Sequence, residues 1–494
     1  MQWELNTMMN GKQYLESLRK MRTEAYVFGE RIESVADHPF TWEHANAVAM
    51  TYELAHDPQY ADLMTATSHL TGKSINRFTH IHQSSEDLVK KVKMLRMIGR
   101  KTGSCFQRCV GLDAMNAVYT TTYEMDQKLG TKYFVRMKDF MRTVQEKDLM
   151  IGGAMTDVKG DRSLRPSQQA DPDMFVHIVE RRDDGIVVRG AKAHQTGSAN
   201  SHMMLVMPTL NMTANDADYS VSFAVPSDEK GIIHILGRQT NDVRKFEKGI
   251  DRGNLGYGIV GGEALVVFDD VFIPNERIFM AGEFEFSGML VDRFASYHRQ
   301  NYGGCKAGVS DVIIGASYGL AQAHGVQDAS HVKDKLTEMV HLTETLYCGS
   351  IACSSEGTPT KSGAYMVDPL LANVTKQNVT RLIYEICRIS QDIAGGIVAT
   401  LPSQKDFKNE KIGKYIEKYM KGKEGVSAEE RARLVRLVEN LSGGTALIES
   451  MHGAGSPQAQ RIMILRQGNL PLKAEYAKIL AGIKEDEVLK KIRG

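Results

Sequence analysis

A chain of 494 residues that is 42% hydrophobic and 24% charged has the composition of a globular protein, long enough for two or three domains with a sizeable core, which excludes disorder. Its 61 Lys and Arg balance 60 Asp and Glu, and the basic residues are scattered, which argues against nucleic acid as a partner. The start, MQWELNTMMNGKQYLESLRK, lacks the basic-then-apolar layout of a signal peptide, and no stretch reaches the roughly 20 apolar residues of a membrane span, so no membrane role and a cytoplasmic location are expected.

From Lys12 to about Leu149 apolar residues recur at three and four in YLESLRKMRTEAYVFGERI, AVAMTYELAHD and SSEDLVKKVKMLRMIGRK, which predicts a helical domain over 1–149. Ser84 or Ser85 is placed to cap the third helix. Its basic run, including Arg96, reads as a solvated face in preference to a phosphate site. From about Ile151 the texture changes to short β-type runs separated by Asp, Gly, Asn and Pro turns, among them MFVHIVERR, GIVVRGAKAHQ, HMMLVMPTL, YSVSFAVP, GIIHILG and EALVVFDDVFI. These predict an all-β domain over 150–282. Long periodic segments return beyond about Glu283, as in a helical bundle over 283–494. The expected class is α+β.

Six cysteines are too few for a disulfide scaffold in a chain of this length. Cys348, Cys353 and Cys387 sit singly among apolar neighbours and read as small buried hydrophobes. Cys105 and Cys109, in GRKTGSCFQRCVGLDAMNAV, are spaced i, i+4 and would leave one face if the stretch is helical. His298 and Cys305, in SYHRQNYGGCKAG, are spaced i, i+7. Three cysteines and a histidine would make a complete shell for one metal centre, although nearly two hundred residues separate the pairs and spacing alone favours ordinary core residues; for a metal, zinc and an iron–sulfur cluster are both compatible and the cluster is preferred, because ligands on packed helices leave a larger cavity. Gly303 and Gly304, each costing about 1 kcal/mol in a helix interior, are expected to make room for something bulky against the backbone.

MIGGAMTDVKGDRS opens the β domain with glycine and small polar residues, and HQTGSANSH offers the Thr196 and Ser198 hydroxyls around Gly197. Either backbone suits a ring system or a phosphate. No G-x-G-x-x-G follows a strand and no P-loop occurs, so nicotinamide and nucleotide-triphosphate readings lack support.

These stretches carry a resemblance. The helical, β, helical order resembles the acyl-CoA dehydrogenase architecture, whose middle domain is a β-barrel. SCFQRCVG, GAMTDVKGDR, RGAKAHQTGSANSH, GGEALVVFDDVFIPNERIF, YHRQNYGGCK, DIAGG and ESMHGAGSPQAQRIMI resemble the 4-hydroxybutyryl-CoA dehydratases, relatives of the flavin-dependent 4-hydroxyphenylacetate 3-monooxygenases. The resemblance implies a [4Fe-4S] cluster on Cys105, Cys109, Cys305 and His298, and FAD against Met155, Thr156, Asp161, Arg162 and Thr196. It implies a homotetramer in which Gln391, with Gly395 and Gly396 of the DIAGG that follows it, reaches a neighbour's FAD. Glu263, Tyr302 and Lys306 match active-site positions, and Glu449 and His452 match a C-terminal segment beside them.

The activity so implied is radical dehydration of the CoA thioester 4-hydroxybutyryl-CoA to crotonyl-CoA, with vinylacetyl-CoA isomerisation on the same enolate. His298, once off the iron, or Glu263 takes the C2 proton, one electron passes to FAD and back, and the C4 hydroxyl leaves toward the iron that His298 had held. A two-component flavin monooxygenase of the 4-hydroxyphenylacetate type is the alternative, and it has no use for the three cysteines. A zinc-stapled scaffold without catalysis is a third.

Overall fold

The computed structural model describes residues 8–240, 242–247, 249–252, 256–258 and 262–493, so the first seven residues and Gly261 of the GGEALVV stretch lie outside the described residues. Helices α1 (Gly11–Lys20), α2 (Trp42–Glu53), α3 (Ser85–Thr102), α4 (Cys109–Leu129) and α5 (Tyr133–Glu146) form from the periodic runs of the first third. In α3 the Ser84 hydroxyl accepts from the Asp87 amide, Glu86 and Asp87 fill the first turn, and Arg100 and Lys101 fill the last. Cap and charges therefore both oppose the helix dipole.

The first helix stops at Lys20 and does not run on through EAYVFGERI as the periodicity suggested. That stretch instead makes the hairpin β1 (Ala25–Val27) and β2 (Glu30–Ile32), turning where Phe28 and Gly29 both have positive φ, as a two-residue hairpin turn requires. The basic run of α3 is a solvated face only in part: Lys93, Arg100 and Lys101 are exposed, but two of its members turn inward. Lys91 is fully buried against Asp113, and Arg96 bonds Asp311 and Glu344 across helices.

The β-type runs become β3 (Ile151–Ala154), β4 (His177–Arg182), β5 (Gly185–Thr196), β6 (Met203–Val206), β7 (Val221–Pro226), β8 (Ile232–Leu236), β9 (Glu263–Pro274) and β10 (Ile278–Ala281). They form two open sheets, a six-stranded one in the order β2-β1-β8-β9-β5-β4 and a four-stranded one in the order β10-β7-β6-β3. One apolar core lies between them, with Val188, Val266 and Phe268 facing Met204, Val206 and Phe223, and the rings of Phe223 and Phe268 meeting edge to face at 5.9 Å.

The expected β-barrel does not form, because neither sheet closes. The end strands explain this. Glu30 and Arg31 stand exposed on β2, and Glu180, Arg181 and Arg182 stand exposed on β4. Charged, solvent-facing edges do not recruit a further strand, and without that pairing a barrel cannot seal.

The helical C-terminal region contains α6 (Ser287–His324), α7 (Ser330–Ser355), α8 (Pro369–Ala394), α9 (Ala428–Ser442), α10 (Gly444–His452), α11 (Pro457–Gln467), α12 (Leu470–Leu480) and α13 (Glu487–Arg493). The 38-residue α6 is the spine against which α3, α4, α7 and α8 pack. Its glycines do not clear space for a bulky group. A Cβ on Gly304 would lie 2.8 Å from the Val92 carbonyl oxygen of α3, one on Gly308 would lie 2.3 Å from that of Arg96, and one on Gly303 would lie 2.3 Å from that of Leu346 in α7. The bare positions let neighbouring helices approach to backbone contact.

Candidate active site

Cys109 opens α4, and Cys105 lies in the loop before it, so the two thiols do not share one helical face as their spacing suggested. Gln107, buried between them with a left-handed φ of 64°, turns the chain instead. His298 and Cys305 do lie two turns apart on α6. Cys109 is within electrostatic reach of Cys105 and Cys305, and Tyr302 is within reach of all three thiols. One turn on from Cys109 along α4, Asp113 reaches His298 of α6. His298 Nδ1 lies 2.7 Å from Asp113 Oδ2, which leaves Nε2 for another partner.

Burial pushes all three thiols up, Cys305 to about 11, and the neighbouring Glu449 adds to the rise at Cys105 and Cys305. Thiols so placed give up their protons readily only to a positive centre, the condition met by iron or zinc. Among the described residues no three His, Cys, Asp or Glu side chains close round a point as ligands of a single ion do. An iron–sulfur cube spreads its ligands over separate corners and asks for a wider arrangement than one ion.

Tyr302 and Lys306 continue the His298 face of α6, and Glu449 of α10 meets both. The Tyr302 hydroxyl donates to Glu449 Oε1 at 3.1 Å, and Lys306 Nζ donates to Oε2. Burial would raise the Glu449 carboxyl, but Lys306, Lys376 and the Tyr302 hydroxyl outweigh it and hold the group below its ordinary value. Burial likewise pulls Lys306 down, and Glu449 and Cys305 reverse that. The pair is ionised in the interior.

A residue the sequence gave no reason to single out, Lys376 of α8, completes this corner. Its ammonium donates to the carbonyls of Ser450 at 2.7 Å and Met451 at 3.1 Å and sits 4.3 Å from the centre of the Tyr302 ring. Burial pulls it to about 7 against the opposing pull of Glu449. Lys306, Glu449 and Cys105 also line a cavity of about 20 Å³, room for roughly one water.

The β sheets bring the remaining acid. Glu263 begins β9 directly across from Thr196, the last residue of β5. Its Oε1 lies 3.4 Å from the Thr196 hydroxyl, its Oε2 accepts from the Gln239 amide at 3.0 Å, and it lies within electrostatic reach of Cys105. Met155 and Thr156 follow β3. The Met155 carbonyl accepts from Lys192, and that of Thr156 accepts from the Ala193 amide. Asp161 and Arg162 lie on an exposed turn in which Asp161 accepts from the Ser163 amide. His452, at the end of α10, comes within electrostatic reach of His194, two residues before Thr196.

Gln391, Gly395 and Gly396 stand apart from this group, at the end of α8. The Gln391 amide donates to the Ser442 carbonyl, and the two glycines are exposed.

The family model for the 4-hydroxyphenylacetate 3-hydroxylase N terminal region matches residues 10–280, and that for the C terminal region matches residues 287–482. The chain is 59% identical over 491 residues to a 4-hydroxybutyryl-CoA dehydratase/vinylacetyl-CoA-Delta-isomerase of Clostridium aminobutyricum, covering 97% of this chain and all of that one. Among solved structures, an oxygen-tolerant archaeal 4-hydroxybutyryl-CoA dehydratase from N. maritimus superposes with a TM-score of 0.95 at 51% identity, covering 97% of this chain and 96% of the other. The oxygenase component of 4-hydroxyphenylacetate 3-monooxygenase, solved with FAD, superposes at 0.83 with 22% identity over 98% of this chain and all of the other, a likeness of fold. With both family models spanning nearly its whole length and a dehydratase relative at this identity, the chain belongs to the 4-hydroxyphenylacetate 3-hydroxylase family and, within it, to the 4-hydroxybutyryl-CoA dehydratases.

Proposed function

We propose that the protein dehydrates 4-hydroxybutyryl-CoA to crotonyl-CoA and isomerises vinylacetyl-CoA, using FAD and a [4Fe-4S] cluster. The observation that carries the reading is the meeting of three thiols with Tyr302, Lys306 and Glu449 beside an imidazole whose Nε2 is left to bind. The donor set fits a cluster held by Cys105, Cys109, Cys305 and His298. FAD fits between the β sheets and the helices, where Met155, Thr156, Asp161, Arg162 and Thr196 would hold it, and a fold relative was solved with that flavin.

The reaction is redox-neutral overall. C2 and C3 each give up a proton, C4 loses hydroxide and regains a proton, and the sum is one water. When bound, the flavin supplies a one-electron sink and source, and the cluster supplies a Lewis-acidic iron for the leaving oxygen. The chain's own groups handle the protons. Glu263, fixed by Gln239 and Thr196, and His298, fixed by Asp113 and able to accept only while its Nε2 is unbound, are the two candidate acceptors for the C2 proton. Lys306 and Tyr302, both bonded to Glu449, orient the hydroxyl and donate to the oxygen as it departs.

Domain divisions near residues 149 and 282 accompany this reading, as does a homotetramer in which Gln391, Gly395 and Gly396 approach a neighbour's FAD. Assembly is supported by apolar residues left exposed on and between the last helices, Leu480 at 87%, Ile483 at 76% and Ile492 at 75%. A cytoplasmic setting suits six cysteines without a disulfide. No described helix is long and apolar enough to cross a membrane.

The test is an assay of anaerobically purified protein with 4-hydroxybutyryl-CoA, read with its optical spectrum. Crotonyl-CoA formation under a broad brown iron–sulfur absorption with flavin bands is expected. Flavin bands alone would point to the monooxygenase, and a colourless preparation would point to the zinc scaffold.

A further inference from the structure

Asp113 and Lys91 are both fully buried; the reaction described above uses Asp113 only as the contact that holds His298, and Lys91 not at all. Asp113 Oδ1 accepts from Lys91 Nζ at 2.5 Å. Lys91 also donates to Gln300 Oε1 at 3.0 Å and the Tyr297 carbonyl at 3.2 Å, so the ammonium is saturated and fixed. Asp113 Oδ2 accepts from the Asn301 amide at 2.5 Å and faces His298 Nδ1 at 2.7 Å; the Asn301 nitrogen also stands 3.3 Å from Nδ1, but its shorter bond is the one to Oδ2. The His298 ring is held on both sides as well, stacked on Phe294 at 5.4 Å and edge-on to Tyr302 at 5.7 Å.

A buried carboxylate beside a buried ammonium accepts hydrogen bonds and does not donate them, so the imidazole nitrogen facing it must carry the hydrogen. We propose that Asp113 is a positioning residue that locks His298 in the Nδ1–H tautomer and presents Nε2 to the thiol cluster site, with Lys91 as its fixed countercharge. The assignment of Nε2's partner rests on the cluster reading above. The tautomer rests only on the contacts among Lys91, Asp113 and His298. Cys109 and Asp113 are one turn apart on α4, so a single helix delivers both a ligand and the group that orients another ligand.

The arrangement predicts a specific failure in Asp113→Asn. Lys91 can face only the amide oxygen of the new side chain, which turns the NH₂ group toward His298. An NH₂ facing Nδ1 demands a lone pair there, and the proton moves to Nε2, the nitrogen that should bind. A residue acting only as interhelical cement would weaken folding without choosing a nitrogen.

The test uses the intact holoprotein with its cluster reduced and its histidines labelled with ¹⁵N at Nδ1 alone. Pulsed paramagnetic resonance should find the strongly coupled nitrogen to be ¹⁴N, hence Nε2, in the wild-type protein. In Asp113→Asn that coupling should disappear, and iron loss to a chelator should quicken by about tenfold or more. In Asn301→Ala, which removes the other donor to Oδ2, the coupling should remain. A strongly coupled ¹⁵N in the wild type, or an unchanged ¹⁴N coupling in Asp113→Asn, would overturn the proposal. A wild-type sample with flavin bands but no cluster signal would overturn the cluster reading and the role of Nε2 with it.

Discussion

Gln107 accepts a hydrogen bond from the Asn200 side chain at 2.8 Å, and that contact joins the cysteine loop to the loop that follows Thr196. Gln107 also donates to the His44 carbonyl at 3.0 Å, so one buried amide ties α2, the thiol-bearing turn and the proposed flavin-contacting segment together. The two proposed cofactor sites are thus linked through one buried side chain.

Gly197 is where that link is most exposed to mutation. Its φ is 68°, and a Cβ there would lie 2.7 Å from Gln107 Oε1. Gly197→Ala should therefore cost about 1–3 kcal/mol through backbone strain and displacement of Gln107. Thermal unfolding should fall by several degrees, and flavin should dissociate more readily from the variant. An unchanged melting temperature and flavin content would show that the two loops tolerate independent movement.

Cys305→Ala should lose the cluster and dehydration together while the protein still binds FAD, because Met155 and Thr156 follow β3 and Thr196 ends β5, whereas Cys305 stands on α6. Iron content, flavin content and activity, measured on one preparation, check this. Full dehydratase activity in the variant would remove the cluster from the mechanism.

The helix-borne half of the site was legible because helical spacing is a local property. His298, Tyr302, Lys306 and Cys305 fall on α6 as their spacing implied. Cys105 was misread, since nothing in C-x₃-C announces that Gln107 adopts a left-handed turn in place of a helical one. Lys91, Asp113 and Lys376 were invisible for another reason. Each is an ordinary charged residue whose role arises from a partner brought close by the fold, 22 positions away for Lys91 and Asp113, 185 for Asp113 and His298, and 74 for Lys376 and Ser450. The open sheets had a signal that was not used, the charged ends Glu30–Arg31 and Glu180–Arg182, whereas helical periodicity in residues 21–32 was outweighed by a local hairpin turn.

Glu263→Gln separates the two candidate acceptors of the C2 proton. The amide keeps one oxygen to accept from Thr196 or from Gln239 but cannot take a proton. Butyryl-CoA has no hydroxyl to eliminate, so deuterium exchange at its C2 reads the base alone. If Glu263 is the base, exchange should fall by about 10²-fold or more. Exchange at the wild-type rate would assign the step to His298.

Lys376 should leave a mark on stability as a function of pH. Burial lowers it to about 7, while in the unfolded chain it titrates near its ordinary value of 10.5. Between those values the unfolded chain holds a proton that the folded chain has released, so the unfolded state binds more protons and stability rises with pH through the window. Below pH 7 both states are protonated and this residue contributes no slope. A neutral amine still has two N–H donors for its two carbonyl acceptors, so deprotonation removes the cost of a buried charge without breaking the bonds to Ser450 and Met451. Lys376→Met should consequently flatten the rise in melting temperature between pH 7 and 10 and leave the acid side of the profile parallel to wild type. Profiles that stay parallel across the whole range would mean that Lys376 keeps its proton in the fold, stabilised by Glu449 more strongly than burial opposes it.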